Sequence, residues 1–200
     1  MEASRIKKVE ELVRAQGVLR PRDLDGYGIP REYLRRMQDR GVIERIGRGL
    51  YVLPGRQVTE HHTLVHVAKR IPGAVFCLLS ALRFHDLTTQ SPHAVWIAIG
   101  PKAWRPRVDG PKVRVFRFSG AALTEGVETH TIEGVTVKVY GVAKTVADCF
   151  KFRNKVGLDV ALEALRESWR ERRASMDDLW LYAKVCRVSN VMRPYLEGLE

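Results

Sequence analysis

Residues 17–53 read GVLRPRDLDGYGIPREYLRRMQDRGVIERIGRGLYVL, and this stretch decides the fold. A short helix, a glycine-containing turn, a second helix and a small hairpin follow one another in the order typical of a winged helix-turn-helix. The turn contains Gly26 and Gly28. Glycine permits the positive φ that is needed where two helices cross sharply, so we expect the turn at this point.

The second helix of this motif is delimited by residues that favour helix ends. Pro30 suits the first helical turn, where its missing N–H would have no partner in any case. Residues 31–40 contain no helix breaker, and Gly41 fits a left-handed cap at the end of the helix. The sequence then predicts a hairpin of residues 43–46 and 50–53, turning at Gly-Arg-Gly.

The predicted second helix combines an apolar stripe with several arginines. Leu34 and Met37 lie three positions apart and form the stripe. A helix that lies in the major groove needs such an apolar back and a cationic, hydrogen-bonding front. The guanidinium group of arginine matches a guanine edge or a phosphate bidentately, which lysine cannot do. The basic residues here are all arginines, namely Arg31, Arg35, Arg36 and Arg40.

An inert solvated helix is the alternative interpretation. Glu32 and Arg36, and likewise Arg35 and Asp39, have the i,i+4 spacing of surface ion pairs. We favour the nucleic-acid interpretation because the helix is framed by the glycine turn and the hairpin.

The expected contacts with double-stranded DNA fall into three groups. The residues expected to face the major groove are Arg31, Tyr33, Arg35 and Arg36. The residues expected to contact the backbone or the minor groove from the hairpin, or wing, are Arg45 and Arg48. Arg20 and Arg22, near the start of the first helix of the motif, either meet a phosphate or are simply solvated.

Several segments also resemble a known protein family. Residues 17–53 resemble the N-terminal domain of the AbiEi family, the antitoxins of type IV toxin–antitoxin systems. The residues that carry the resemblance are Asp23-Leu24, Gly28-Ile29, Leu34, Gly41 and Arg48-Gly49-Leu50-Tyr51. The segments SALRFHDLT (80–88), KTVADCF (144–150) and MRPYL (192–196) resemble the C-terminal domain of that family, in the same order.

This resemblance implies a bacterial regulator with two roles. The winged helix would repress the operon of the antitoxin and its toxin, and the C-terminal domain would be needed to neutralise an AbiEii-like nucleotidyltransferase toxin without forming a stable complex. The expected operator carries inverted repeats. The protein is expected to be a monomer or a weak dimer in solution and to bind the repeats cooperatively. Some family-like proteins occur without a toxin gene, so a stand-alone winged-helix regulator stays open.

Composition agrees with a polyanionic partner. The 200 residues carry a formal net charge of +11, with 45% hydrophobic and 28% charged residues. Three cysteines form no CxxC pair, as expected of a reduced protein in the cytoplasm. No apolar run approaches the roughly 18 residues of a membrane span. The N-terminus lacks the apolar core of a signal peptide, and we expect no membrane association.

The chain as a whole is predicted to have an α+β fold of two domains. A winged helix-turn-helix DNA-binding domain would cover residues 1–56, and an AbiEi-like antitoxin domain residues 57–200. The second domain is expected to combine a small, mainly antiparallel sheet with a helical C-terminal half. The predicted strands cover residues 94–99, 113–118, 128–132 and 135–139, and helical periodicity starts at residue 141.

Metal and catalytic chemistry find little support in the sequence. His61, His62 and His66 include an i,i+4 pair, but no third ligand follows at a zinc-site spacing. We therefore expect no metal and no cofactor. Lys144 and Asp148 are also four residues apart, and we expect them to pair with each other or to tie their helix to the sheet.

A nucleophile with a neighbouring base was also considered. Cys77 with His85, or Ser80 with His85 and Asp86, would supply the residue types. No Gly-x-Ser-x-Gly elbow is present, and the apolar spacing around these residues favours core packing. We therefore expect that the protein is not an enzyme.

The loop PKAWRPR (101–107) is a possible second nucleic-acid contact, through Lys102, Trp104, Arg105 and Arg107. Cations alternating with an aromatic residue between two prolines suit a strand of nucleic acid. The alternative, which we favour, is a structured surface loop with Trp104 in the core.

Two further functions remain as rivals to a DNA-binding repressor. One is an interaction module whose C-terminal helices sequester a partner enzyme. The other is an enzyme that processes RNA or DNA, but clustered carboxylates that could hold Mg²⁺ are absent from the strand region.

Overall fold

A computed structural model of the chain describes residues 2–55, 59–106 and 110–199. Its N-terminal part has the winged helix-turn-helix order predicted from the sequence. The elements are α1 (Glu2–Gln16), a 3-10 helix (Pro21–Tyr27), α2 (Glu32–Asp39), β1 (Glu44–Gly47) and β2 (Leu50–Val52). The two strands pair antiparallel, and Leu19 forms a further bridge to Tyr51, so the wing is fastened to the segment that follows α1.

Glycine conformation explains the turn and the end of α2. Gly28 ends the 3-10 helix with a φ of +60°, which an L side chain rarely adopts. Gly26 lies inside that helix and needs no positive φ, so one glycine makes the turn rather than two. Gly41 follows α2 with a φ of +70°, as predicted.

The remainder of the chain combines one sheet with a larger set of helices. The helices are α3 (His62–Arg70), α4 (Leu78–Phe84), α5 (Ala121–Thr124), α6 (Val142–Lys151), α7 (Arg153–Val156), α8 (Leu158–Arg170), α9 (Met176–Val185) and α10 (Ser189–Leu196). The strands are β3 (Val75–Phe76), β4 (Val95–Ile99), β5 (Val113–Arg117), β6 (Val127–Ile132) and β7 (Val135–Tyr140). No helix among the described residues is long and apolar enough to cross a bilayer.

The sheet is mixed, so the prediction of a mainly antiparallel sheet was wrong. Its order is β5-β4-β3-β7-β6. β3 pairs antiparallel with β4 but parallel with β7, and β4 pairs parallel with β5. The sequence analysis missed β3 because two residues are too short to show any periodicity, and this missing strand is the one that joins the two halves of the sheet.

Strand pairing also settles the register of β5. Its five pairs with β4 are regular, without a bulge. The strand is covered on both faces. Phe116 packs into the core on the side of α6, whereas Val113 and Val115 pack against the core on the side of α3. Near the end of the chain, Pro194 lies late in α10, beyond its first turn.

Three apolar clusters hold the molecule together. One lies within the winged helix-turn-helix, and another lies between the sheet and helices α6, α8, α9 and α10. The third joins the two parts of the chain, because Val18, Leu50 and Val52 pack with Val65 of α3 and Val137 of β7. The proposed boundary at residue 56 lies outside the described residues and stays a prediction.

Candidate nucleic-acid interface

Helix α2 has one buried and one exposed face. Leu34 and Met37 are 1% and 0% exposed, as the apolar stripe predicted. The charged residues of the helix and its ends are exposed, namely Arg31, Glu32, Arg35, Arg36, Asp39 and Arg40. The helix is therefore anchored by its apolar back and presents guanidinium groups to solvent.

Both ion pairs of the inert-helix interpretation are present on that exposed face. Arg36 lies 3.2 Å from Glu32, and Arg35 lies 4.0 Å from Asp39. The side chain of Arg35 is nevertheless 88% exposed. Exposed pairs of this kind contribute only about 0–1 kcal/mol. These contacts therefore leave the two arginines able to exchange a carboxylate for a phosphate or a base edge.

Arg31 and Arg40, at the two ends of the helix, also have carboxylate partners. Arg31 donates two hydrogen bonds to Asp25, of 2.6 and 3.1 Å, and these lower the pKa of the Asp25 carboxyl below its ordinary value. Arg40 and Arg36 both lie 3.7 Å from Glu2 in α1. Arg31 is thus occupied by a bidentate partner before any DNA arrives.

Tyr33 does not face outward as predicted. It is 6% exposed and packs in the cluster of the winged helix-turn-helix. Arg5 of α1 lies 3.5 Å from its hydroxyl oxygen, and the Arg36 guanidinium lies 5.5 Å from its ring centroid. Tyr33 adjoins Leu34 at the edge of the apolar stripe, so its ring packs inward. The Arg36 guanidinium lies over this ring.

Arg20 is also placed differently from either expectation, because it is neither solvated nor open to a phosphate. Its side chain is only 20% exposed, and its guanidinium donates to the Asp23 carboxylate at 2.9 Å and to the Lys69 carbonyl at 2.5 Å. The backbone N–H of Arg20 also donates to Asp23, at 2.9 Å. The helix terminus that could have received a phosphate is thus already capped by a carboxylate.

The Asp23 carboxylate also reaches the second part of the chain. Lys69 of α3 lies 3.2 Å from it. Burial alone would raise the pKa of Asp23, but the hydrogen bonds from Arg20 and the charge of Lys69 hold it below its ordinary value. Arg20, Asp23 and Lys69 therefore form an ionised network, hereafter the Asp23 network, that fixes the motif to α3.

The wing and its surroundings keep three arginines at the surface. Arg22, Arg45 and Arg48 are exposed, as predicted. Arg45 donates to the Gly47 carbonyl at 3.1 Å, and Arg70 of α3 donates to the Arg48 carbonyl at 2.9 Å. The tip of the wing is thus held by α3 while its cations remain accessible.

The loop that follows β4 differs from the expectation for its tryptophan. Trp104 is 95% exposed, so the interpretation that places it in the core was wrong. Lys102 and Arg105 are exposed as well, and Arg107 lies outside the described residues. Arg117 donates to the carbonyls of Gly100, Pro101 and Ala103, which fixes the start of the loop and leaves Trp104 without a cover.

The histidines near α3 have separate environments. His62 lies 3.0 Å from Glu133, and the ring of His61 packs against Phe84. His66 is buried, and burial lowers its pKa. No three His, Cys, Asp or Glu side chains in the described ranges lie close enough together to hold a metal ion.

The residues considered as a nucleophile and base are instead bound to the backbone. Ser80 accepts a hydrogen bond from the Trp96 N–H at 2.8 Å, and His85 lies 2.8 Å from the Tyr140 carbonyl oxygen. Burial lowers the pKa of His85, so its imidazole is neutral and donates to that carbonyl. Burial raises the pKa of the Cys77 thiol. These groups are therefore part of the core.

Lys144 and Asp148 pair with each other, as their spacing predicted. Their charged atoms are 2.6 Å apart, and both side chains are almost completely buried. Burial raises the pKa of Asp148 to about 6, against the opposing effect of Lys144. The Cys186 thiol donates to the second oxygen of the same carboxylate, at 3.2 Å.

Comparison with known proteins agrees with this geometry. Residues 7–54 match the family model described as transcriptional regulator, AbiEi antitoxin. The match covers α1, the helix-turn-helix and the wing, and it confirms the resemblance noted for this part of the sequence. The chain therefore carries an AbiEi-type transcriptional-regulator domain at its N-terminus.

Similarity over the whole chain is seen in structure only. The crystal structure of the RV2827C protein from Mycobacterium tuberculosis superposes with a TM-score of 0.59, at 14% sequence identity, and the alignment covers 98% of this chain and 77% of that chain. At this identity the likeness concerns the fold alone. No curated protein matches the chain.

Proposed function

We propose that this chain, with its N-terminal AbiEi-type domain, is a repressor that binds an operator in its own promoter through α2 and the wing. The observation that carries the proposal is the exposed arginine face of α2 on a fully buried apolar back, within the segment that the family model matches. Arg35 and Arg36 are the principal groove contacts in this proposal, because both lie on the exposed face of α2 and their ion pairs are surface pairs that a phosphate or a base edge can replace.

The wing supplies the neighbouring contacts. Arg45 and Arg48 are exposed on it, and Arg22 lies at the start of the motif, so all three suit the phosphate backbone. Arg20 is not included, because the Asp23 network holds it.

The test is a binding titration of the chain on a duplex from its own promoter. A bidentate base contact supplies about 1–3 kcal/mol, so Arg35→Ala combined with Arg36→Ala should raise Kd by about 30-fold or more. The slope of log affinity against log salt should also become shallower, by about 0.9 for each phosphate that the variant no longer neutralises.

A matched control removes two charges elsewhere. Lys138 and Lys155 are exposed and lie outside α2 and the wing. Lys138→Ala with Lys155→Ala should leave Kd within about twofold. Equal affinities of the two double variants would show that α2 does not bind the operator.

The repressor is further proposed to act in the bacterial cytoplasm as the antitoxin of an AbiEii-like nucleotidyltransferase, without enzymatic activity of its own. The support is the family of its N-terminal domain. Expression of the adjacent reading frame with and without this chain tests the role. Growth arrest that this chain does not relieve would leave a stand-alone regulator, and co-purification at high salt would favour a sequestering partner instead.

A second nucleic-acid contact is proposed at the loop after β4. Trp104 is 95% exposed and stands beside the exposed Lys102 and Arg105. An exposed ring between cations suits base stacking, which contributes about 1–3 kcal/mol per base. Trp104→Ala should therefore weaken binding to single-stranded DNA by about fivefold or more, and an unchanged Kd would remove this contact from the account.

A further inference from the structure

An open pocket of about 430 Å³ lies away from the winged helix-turn-helix, at the carboxyl end of β5. Its walls come from Arg117 and Phe118 at the end of β5, Lys151 and Phe152 at the end of α6, Lys184 in the last turn of α9, and Arg187 just after that helix. The volume is in the range of pockets that bind small molecules. β4 and β5 are parallel, and ligands of open sheets bind beyond the carboxyl ends of parallel strands.

The pocket has an excess of positive charge that the protein does not neutralise. Lys151, Lys184 and Arg187 are exposed, and none of them makes an ion pair with another described residue. The acidic residue of the lining is Asp148, and its carboxylate is already paired with the buried Lys144. Three exposed cations thus line one pocket whose carboxylate is already neutralised by Lys144.

The inner wall of the pocket is aromatic. Phe152 is partly exposed, and its ring packs against Phe116 and Phe118 with centroids 5.3 and 5.2 Å away. The ammonium of Lys144 lies behind this wall, 5.0 Å from the Phe118 centroid. A rigid aromatic surface beside unpaired cations suits a planar ring that carries an anionic group.

We propose that this pocket binds a nucleotide, with its phosphates on Lys151, Lys184 and Arg187 and its base against Phe152. One terminal nitrogen of Arg117 already donates to the carbonyls of Gly100, Pro101 and Ala103, so the proposal places the phosphates on the other three cations. The proposal concerns a small ligand of the C-terminal part and does not depend on operator binding by α2.

Isothermal titration of the full chain with ADP and with GDP tests the proposal. Adenosine, which lacks the phosphates, and inorganic pyrophosphate, which lacks the base, should each bind at least tenfold more weakly than the better nucleotide. Lys184→Gln with Arg187→Gln should weaken nucleotide binding at least tenfold. Lys138→Gln with Lys155→Gln removes the same charge elsewhere and should leave it within twofold.

Three results would overturn the assignment. One is the absence of binding by both nucleotides at millimolar concentration, and another is equal weakening by the two double variants. The third is pyrophosphate binding as tightly as the nucleotide, since the base would then contribute nothing. Phe152→Leu provides a separate check, because it should lower nucleotide affinity to that of pyrophosphate. The Lys184/Arg187 variant should bind the operator as tightly as wild type does. This measurement separates failure of the nucleotide proposal from failure of operator binding by α2.

Discussion

Replacing Asp23 by asparagine removes the charge at the centre of the Asp23 network without changing the size of the side chain. The carboxylate accepts hydrogen bonds from the backbone N–H of Arg20 and from its guanidinium, both at 2.9 Å, and it lies 3.2 Å from the Lys69 ammonium. The three side chains are 11–20% exposed. The substitution leaves two half-buried cations facing an amide.

The size of the effect follows from the contacts and their burial. A hydrogen bond to a charged group contributes about 1.5–3 kcal/mol, and removing one partner of a buried ion pair costs about 3–5 kcal/mol. Arg20 and Lys69 retain some access to water, and asparagine keeps one acceptor oxygen. We therefore expect the free energy of unfolding to fall by about 2–3 kcal/mol at pH 7.

Urea unfolding of wild type, Asp23→Asn and Asp25→Asn measures the loss in the free energy of unfolding. Asp25 belongs to the same 3-10 helix but pairs with Arg31 at the surface, so its variant should stay close to wild type. The folded-state pKa of Asp23 lies below its ordinary value of 3.8, so its contribution is complete above that value and is lost as the pH falls through the folded pKa. Equal stabilities of the two variants at pH 7, or an Asp23 effect that persists when the carboxyl is protonated, would refute the reasoning.

Other substitutions test the turn, the buried ion pair and the pH dependence. Gly28→Ala should lower the free energy of unfolding by about 1–2 kcal/mol because φ is +60° at this position. Gly26 has no positive φ and open space around it, so Gly26→Ala should be neutral or slightly stabilising in the same urea assay. Lys144→Met removes the cation from the buried Asp148 carboxylate, which keeps the hydrogen bond from the Cys186 thiol, and should cost about 3–5 kcal/mol. Lys144→Met with Asp148→Leu should recover much of that loss, and a strictly additive double variant would contradict a pairwise interaction. Burial lowers the pKa of His85, so it contributes stability that is present above pH 6.5 and is lost as the pH falls through its folded pKa. The urea midpoint of His85→Gln should therefore decline less from pH 7.5 to 5.5 than that of wild type. Identical declines would show that His85 does not cause the pH dependence of stability.

Elements that depend on local signals were predicted well. The amphipathic stripe of α2, the left-handed cap at Gly41 and the hairpin that turns at Glu133 and Gly134 all follow from a few neighbouring residues. The signal for the start of α9 is equally local, because Ser175 accepts from the Asp178 N–H three residues further on.

Features that depend on distant parts of the chain were not predictable in this way. The two residues of β3 give no periodic signal, yet their pairing on both sides makes the sheet mixed. The Asp23 partner of Arg20 is only three residues away, but the Lys69 carbonyl and ammonium that bury this pair belong to a helix 49 residues further along the chain. Trp104 is exposed although its hydrophobicity favoured the core, because Arg117 fixes the start of its loop at the surface.

The central claim is that the exposed arginine face of α2 lies in a DNA groove, and the most direct measurement records the arginine Nε–Hε signals during titration with promoter duplex. We predict that Arg35 and Arg36 show the largest shifts, followed by Arg45 and Arg48 of the wing, while Arg20 changes little because the Asp23 network already holds it. Shifts confined to the arginines of α7–α10, with those of α2 unchanged, would contradict the account.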